Sequence, residues 1–220
     1  LQKWLSSVLE RLLAESDTMG SDSVNILFAS GNTHKVSEAS NFLKQFGFNV
    51  SQLLISGKPP DLIEPQAELL EEIVQSKISQ ARELVSGTKM EEYPIMVEDS
   101  GLFIDHLAGF PGPYSSFVET KIGLDGILRL MEGVSNREAH YRASLGVYIS
   151  GSMIFSEGTC RGKISNKAAG NNGFGYDPIF IPHELNGRTC GQLTPDEKSL
   201  ISHRGKALKE VSKLLNLPSK

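Results

Sequence analysis

The sequence predicts an α/β protein, on three observations. An apolar run from Val24 to Ala29 passes directly into Ser30-Gly31-Asn32-Thr33-His34-Lys35 and then into apolar residues at helical spacing. A second apolar run, Ile95 to Val97, leads into Glu98-Asp99-Ser100-Gly101, within the densest cluster of carboxylate, hydroxyl and glycine in the chain, residues 96–116. Alternating runs at His140 to Ile149 and Met153 to Ile164 flank Ser150-Gly151 and predict a hairpin. With 220 residues, 39% hydrophobic and 22% charged, the chain has an ordinary globular composition and is expected to fold as one unit.

Composition also excludes function classes. A net charge of -4 argues against a broad electrostatic grip on nucleic acid, although a local basic pocket stays open. Cys160 and Cys190 are far apart and outside metal-ligand spacing, so they read as reduced thiols in a cytoplasmic protein. No uncharged apolar run approaches membrane-spanning length, so no membrane partner is expected.

Taken in order, residues 1–23 read as an appendage. Trp4, Leu5, Val8, Leu9, Leu12 and Leu13 recur at helical spacing, but charges interrupt the apolar centre that a secretory signal needs. With Met19 just ahead of the first strand, this stretch is either an alternative start or sequence outside the functional protein, and the second is favoured. The first strand then feeds a helix whose apolar face is Val36, Ala39, Phe42, Leu43 and Phe46, stopped at Gly47. A strand, a glycine turn and a helix N-terminus carrying Lys35 make an anion site; a plain turn capped by Asn32 or Thr33 explains the pattern equally well.

A strand near Phe48 to Leu54 and a proline-rich loop lead to a long helix, about Gln66 to Val85, with Leu70, Ile73, Val74, Ile78, Ala81, Leu84 and Val85 as its stripe. Lys77 falls in the middle of that stripe, so it either snorkels outward or meets an anion in the cleft. If it meets an anion, Lys77→Met is expected to weaken binding of that anion while stability holds or rises, because methionine suits an apolar face.

The central acidic stretch sits where a strand is expected to emerge, which suits a metal site or general base; a surface turn is the plain alternative. Phe117 to Met131 reads as a helix with Ile122, Leu124, Ile127, Leu128 and Leu130, and as a possible dimer or lid element. The glycine-dense segment Gly170 to Pro178 lets backbone approach a flat ligand while Phe174 or Tyr176 stacks on it, or is simply a long turn. Thr194-Pro195-Asp196-Glu197 is a capping box that puts Lys198 on a short helix. Ser202 caps a last helix with Ala207, Leu208, Val211, Leu214 and Leu215 buried. His203 and Arg204 in its first turn oppose the helix dipole unless an anion lies beside them; a solvated surface pair is the alternative.

Four ordered motifs, SGNTHK, VEDSGLFIDHLAGFPGPYSS, GNNGFGYDPIF and DEKSLISHRGKAL, give the stretch from Asn25 to Leu215 a resemblance to the inosine triphosphate pyrophosphatase family. The resemblance implies a two-lobed α/β domain over residues 24–217, with a long mixed β-sheet flanked by helices, the substrate cleft between lobes, and a homodimer. It implies hydrolysis of ITP, dITP and XTP to the monophosphate and pyrophosphate with Mg2+ as cofactor. Carried over, Ser30, Gly31, Asn32, Thr33, His34 and Lys35 cradle the triphosphate, while Asp99 binds Mg2+ and acts as general base. Glu64 is the candidate second metal ligand, Ser100 touches the substrate, and a lysine near Lys77 contacts it. Phe174, Gly175, Tyr176 and Asp177 hold base or sugar, Lys198 contacts the nucleotide, and His203 with Arg204 recognises the 6-keto edge. Two rivals are a Maf-like pyrophosphatase of other base specificity, which should lack the GFGYDP and SHR segments, and a nucleotide sensor without turnover.

Overall fold

The computed structural model describes residues 23–185 and 187–216. Of the appendage read from residues 1–23, residues 1–22 lie outside them. The chain runs β1 (Val24–Phe28), α1 (Thr33–Leu43), β2 (Phe48–Gln52), α2 (Leu70–Val85), β3 (Ile95–Ile104) and β4 (Pro111–Gly112). It continues through α3 (Ser115–Leu130), β5 (Glu138–Ile149), β6 (Ser152–Ile164), β7 (Phe180–Pro182), α4 (Pro195–Ile201) and α5 (His203–Asn216). The main sheet has the order β2-β1-β3-β5-β6-β7, with β4 added to β3. Pairs β1–β2 and β1–β3 are parallel and the rest antiparallel, so the sheet is mixed, as expected. No helix among the described residues is long and apolar enough to cross a membrane.

β3 organises the molecule because it passes through two core regions. Its first half packs on both faces: Met96 joins Ala39, Leu43, Leu208 and Val211 under α1 and α5, while Ile95 and Val97 join Val74, Ile78 and Ala81 under α2. Its second half, Leu102 and Ile104, belongs to a separate core with Ile127, Met131, Ile179 and Phe180. Between these cores lie Glu98 to Gly101. The sequence pattern suggested that the strand ends there, but β3 is continuous and pairs with β5 at every residue. What ends is its other neighbour: β1 pairs with β3 only at Ile95 and Met96 and β4 only at Leu102 and Phe103, so between these pairings one edge of β3 faces a cleft.

Several smaller readings change. The helix expected from about Gln66 begins at Leu70, and Leu84, placed in its buried stripe, is 44% exposed. Phe46 is also at the surface. The helix around Phe117 is broken at Gly123, whose φ of 64° and ψ of -170° interrupt it, and this turns Ile122 and Leu130 outward while Ile127 and Met131 stay buried. The hairpin, the Thr194 capping box and the Ser202 cap are as expected; Ser202 Oγ accepts from the Gly205 amide at 2.9 Å.

Candidate active site

Glu98 and Asp99 are neighbours on β3, so their side chains leave opposite faces of the sheet. Glu98 therefore points to the α1 and α5 side. Arg204, in the first turn of α5, donates to it through Nε at 2.5 Å and Nη2 at 3.1 Å, and Lys35 of α1 lies 3.5 Å away. Arg204 Nη1 reaches Glu38 of α1 at 2.5 Å. Burial pushes the Glu98 carboxyl upward, but Arg204 and Lys35 outweigh it and hold the group well below the usual carboxylate range. The anion that Arg204 needed at its helix start is thus a protein carboxylate, and Arg204, 1% exposed, is no solvated surface residue.

Asp99 points to the α2 side. Lys77 Nζ donates to Asp99 Oδ1 at 2.9 Å and to Glu64 Oε1 at 2.5 Å. The mid-stripe lysine does turn into the cleft, and in the structure these two carboxylates are its partners. Burial lowers the Lys77 ammonium, but Asp99 and Glu64 outweigh it and hold it above the ordinary lysine value. For Asp99 burial wins: the carboxyl is raised, with Lys77 and Lys35 offsetting part of the shift. Its Oδ2 is buried and has no hydrogen-bond partner.

The two carboxylates open into a cleft of about 360 Å³. One wall is the turn after β1. Asn32 Oδ1 accepts from the His34 and Lys35 amides, and Ser30 Oγ accepts from the Asn32 amide, so the turn is internally capped. Ser30, Gly31, Asn32 and Lys35 line the cleft; Thr33 and His34 do not. His34 stacks on Phe174, with ring centroids 5.7 Å apart.

The opposite wall is the glycine-dense loop with α4. Asp177 Oδ2 accepts from the Phe174 amide at 2.8 Å and from Lys198 Nζ at 2.6 Å, which closes the loop on itself. Residue 173 must be glycine, because a Cβ there would lie 2.1 Å from Asp177 Oδ2. Lys198 Nζ and the Arg204 guanidinium sit over the Phe174 ring at 4.8 and 5.6 Å. Of the two loop aromatics Phe174 is the half-buried one, and its ring already carries His34 and these cations. Tyr176 is buried, and its hydroxyl donates to the Ser115 carbonyl at 2.8 Å.

His203 stacks on Tyr141 at 4.7 Å, and burial, then Arg204, holds its imidazole well below the usual range despite Glu98. It is a neutral donor or acceptor at pH 7. Ser100, Gly175, Asp177 and Lys198 also line the cleft. Sequence reasoning missed Glu38, which anchors Arg204 across 166 positions, and Glu119, a half-buried carboxylate facing the loop. It also missed Tyr141. Nothing local marks Glu38 or Tyr141, because their partners are distant in sequence.

An α/β cleft with a buried carboxylate, four cations and an aromatic platform belongs to the class of proteins that take a polyanionic ligand with a flat ring. Comparison with known proteins narrows this. The Ham1 family model matches residues 26–214, and the chain belongs to the Ham1 family. It is 47% identical to the dITP/XTP pyrophosphatase of Pyrococcus horikoshii over 84% of this chain and 94% of that protein. It is 38% identical to the dITP/XTP pyrophosphatase of Hyperthermus butylicus over 86% of this chain and 94% of that one. Among solved structures, the Staphylococcus aureus Ham1 protein matches with a TM-score of 0.72 at 27% identity, covering 87% of this chain and 97% of its own. A HAM1 protein from Coxiella burnetii matches with a TM-score of 0.70 at 29% identity, covering 87% and 98%.

Proposed function

We propose that this chain hydrolyses the non-canonical purine nucleoside triphosphates ITP, dITP and XTP to the nucleoside monophosphate and pyrophosphate. The observation that carries this reading is Asp99, 6% exposed at the floor of the cleft, with Oδ1 on Lys77 and Oδ2 unpartnered. The names of the relatives at 47% and 38% identity support the substrate class.

Mg2+ is the proposed cofactor, and the residues fit it. Glu64 and Asp99 are hard oxygen donors that already share one cation, the Lys77 ammonium, and Asp99 keeps a free oxygen. Glu64 and Asp99 would hold the ion together with substrate phosphates, the way Mg2+ is usually bound. When bound, Mg2+ neutralises phosphate charge and favours in-line displacement.

Asp99 takes the proton of the attacking water. The water oxygen bonds to phosphorus at the α–β anhydride, the bridging P–O bond breaks, and pyrophosphate leaves. Burial that raises the Asp99 carboxyl makes it a better base than a surface aspartate. Lys35, Lys77 and the cleft-lining turn residues Ser30, Gly31 and Asn32 bind the triphosphate, Ser100 touches it, and Phe174 stacks on the base. Asp177 fixes the Phe174 loop with Gly175 and Tyr176, and Lys198 contacts the nucleotide. His203 and Arg204 supply donors to the 6-keto oxygen, and a donor left unpaired against adenine discriminates against ATP. The working unit is residues 24–217 as one domain in the cytoplasm, with residues 1–23 as an appendage. A homodimer is supported by exposed Phe110, Tyr114 and Phe117.

The test is pyrophosphate release with and without Mg2+ across ITP, dITP, XTP, GTP and ATP. Metal-dependent pyrophosphate from the first three, with ATP and GTP much poorer, is expected. Stepwise orthophosphate release, or equal rates with ATP, overturns the proposal.

A further inference from the structure

Among the described residues, two buried side-chain atoms have no hydrogen-bond partner, Asp99 Oδ2 and Ser144 Oγ. They are not scattered. Asp99 of β3 and Ser144 of β5 are direct cross-strand partners, so both side chains leave the same face of the sheet beneath α2. Directly opposed residues have Cβ atoms about 4.5–5.5 Å apart, within the combined reach of a serine hydroxyl and an aspartate carboxylate. Ser144 is 0% exposed, so water does not satisfy it from the surface.

The surroundings leave few other acceptors. Two residues further along β5 on this face is Gly146, where a Cβ would meet Ile78 and Val74 of α2 at 2.7 Å, so that direction is apolar. On the far side Ser144 faces Glu157 of β6, but that side chain is 56% exposed and turns to Arg142 at 3.4 Å. We propose that Ser144 is a positioning residue for Asp99: the two atoms are not bonded in this structure, and turning the Ser144 side chain about its Cα–Cβ bond lets its hydroxyl donate to Oδ2 while Lys77 holds Oδ1. The carboxylate is then fixed at both oxygens. Because a carboxylate oxygen has two lone pairs, Oδ2 keeps one for chemistry in the cleft. A serine here thus sets the plane of the base without touching substrate.

The role in turnover rests on the function proposed above; the contact itself does not, and the experiment separates them. In ligand-free protein, a double-mutant cycle in urea compares Ser144→Ala with and without Asp99→Ala. Ser144→Ala should lower the folding equilibrium constant about tenfold or more when Asp99 is present, the scale of a hydrogen bond to a charged group, and much less in the Asp99→Ala background. Equal losses in both backgrounds, or coupling to Glu157→Ala instead, overturn the contact. If Ser144→Ala folds too poorly, Ser144→Cys keeps the shape with a weaker donor and gives the same comparison. In turnover of ITP, Ser144→Ala should lower kcat about tenfold with KM within about twofold, and Ser144→Thr should restore it. Coupling without a change in kcat overturns the positioning role, and failure of the parent to release pyrophosphate from ITP defeats the proposed function while leaving the ligand-free coupling to stand.

Discussion

Lys77→Met tests the charge arrangement at the base of the cleft. By helical phase alone this substitution is neutral or stabilising, since it puts an apolar side chain on an apolar stripe. The structure reverses that expectation. The Lys77 and Asp99 side chains are each 9% exposed and 2.9 Å apart, and removing one member of a buried pair costs about 3–5 kcal/mol. The second partner adds little, because Glu64 is 56% exposed and such pairs contribute about 0–1 kcal/mol. Asp99 recovers part of the cost by taking a proton, and the methionine stem only replaces methylenes that lysine already buries. The net loss should be about 2–4 kcal/mol, read from urea unfolding of ligand-free protein at pH 7. Adding Asp99→Asn to the variant removes the uncompensated charge and should return part of the loss. A Lys77→Met protein as stable as its parent refutes the reasoning, and Lys77 is then a substrate ligand with no structural duty.

Three further outcomes are expected. Asp99→Asn should fold and lose about 10²–10⁴-fold in kcat, the scale of general-base catalysis; circular dichroism with a pyrophosphate assay checks both halves, and near-parental turnover removes Asp99 from its role. His203 is neutral in the fold and its imidazole is lowered, so its contribution to stability is present above pH 6.5 and is lost as pH falls below that value. Melting curves of the parent between pH 7 and 5 should therefore fall by up to about 1.4 kcal/mol per unit more steeply than those of His203→Gln, and parallel curves refute the assignment. Gly158→Ala should cost at least about 1–3 kcal/mol by overpacking, because its Cβ would lie 1.9 Å from the His203 carbonyl and 2.6 Å from the Ala207 amide, which pushes α5 off β6; an unchanged urea midpoint contradicts that packing.

Elements whose cause is local were legible in the sequence. The apolar period of α1, the capping box before α4 and the turn between β5 and β6 each depend on residues a few positions apart, and each lies where the pattern put it. The inward phase of Lys77 was legible for the same reason. The continuity of β3 was not, because Glu-Asp-Ser-Gly has the composition of a turn, whereas in the fold β5 pairs with it at every residue and cations from three helices meet its carboxylates. The partners of Arg204, 106 and 166 positions away, leave no local trace. A helix-dipole argument could say that Arg204 needs an anion, but only the fold shows that Glu98 and Glu38 supply it.

That pairing bears on how a triphosphate enters. The cleft is lined by four cations, Lys35, Lys77, Lys198 and Arg204, and by six carboxylates, Asp61, Glu64, Glu98, Asp99, Glu119 and Asp177, with His203 neutral. Each cation already has an acidic partner: Glu98 for Lys35, Asp99 and Glu64 for Lys77, Asp177 for Lys198, Glu98 and Glu38 for Arg204. A polyphosphate alone therefore meets a surface with an acidic excess, whatever the local lysines suggest. On the proposed reaction, a divalent cation would offset that excess, and Glu64, the exposed partner of Lys77, is the carboxylate that would help hold it. Lys77 released from Glu64 would still have Asp99, so the proposed base would keep its counterion while one ammonium proton would be freed toward the phosphates. On that proposal the same lysine would serve stability without ligand and binding with it. Glu64→Gln should accordingly raise the Mg2+ concentration needed for half-maximal rate while leaving ligand-free stability nearly unchanged, and a large loss of stability with an unaltered metal requirement would place Glu64 in the fold alone.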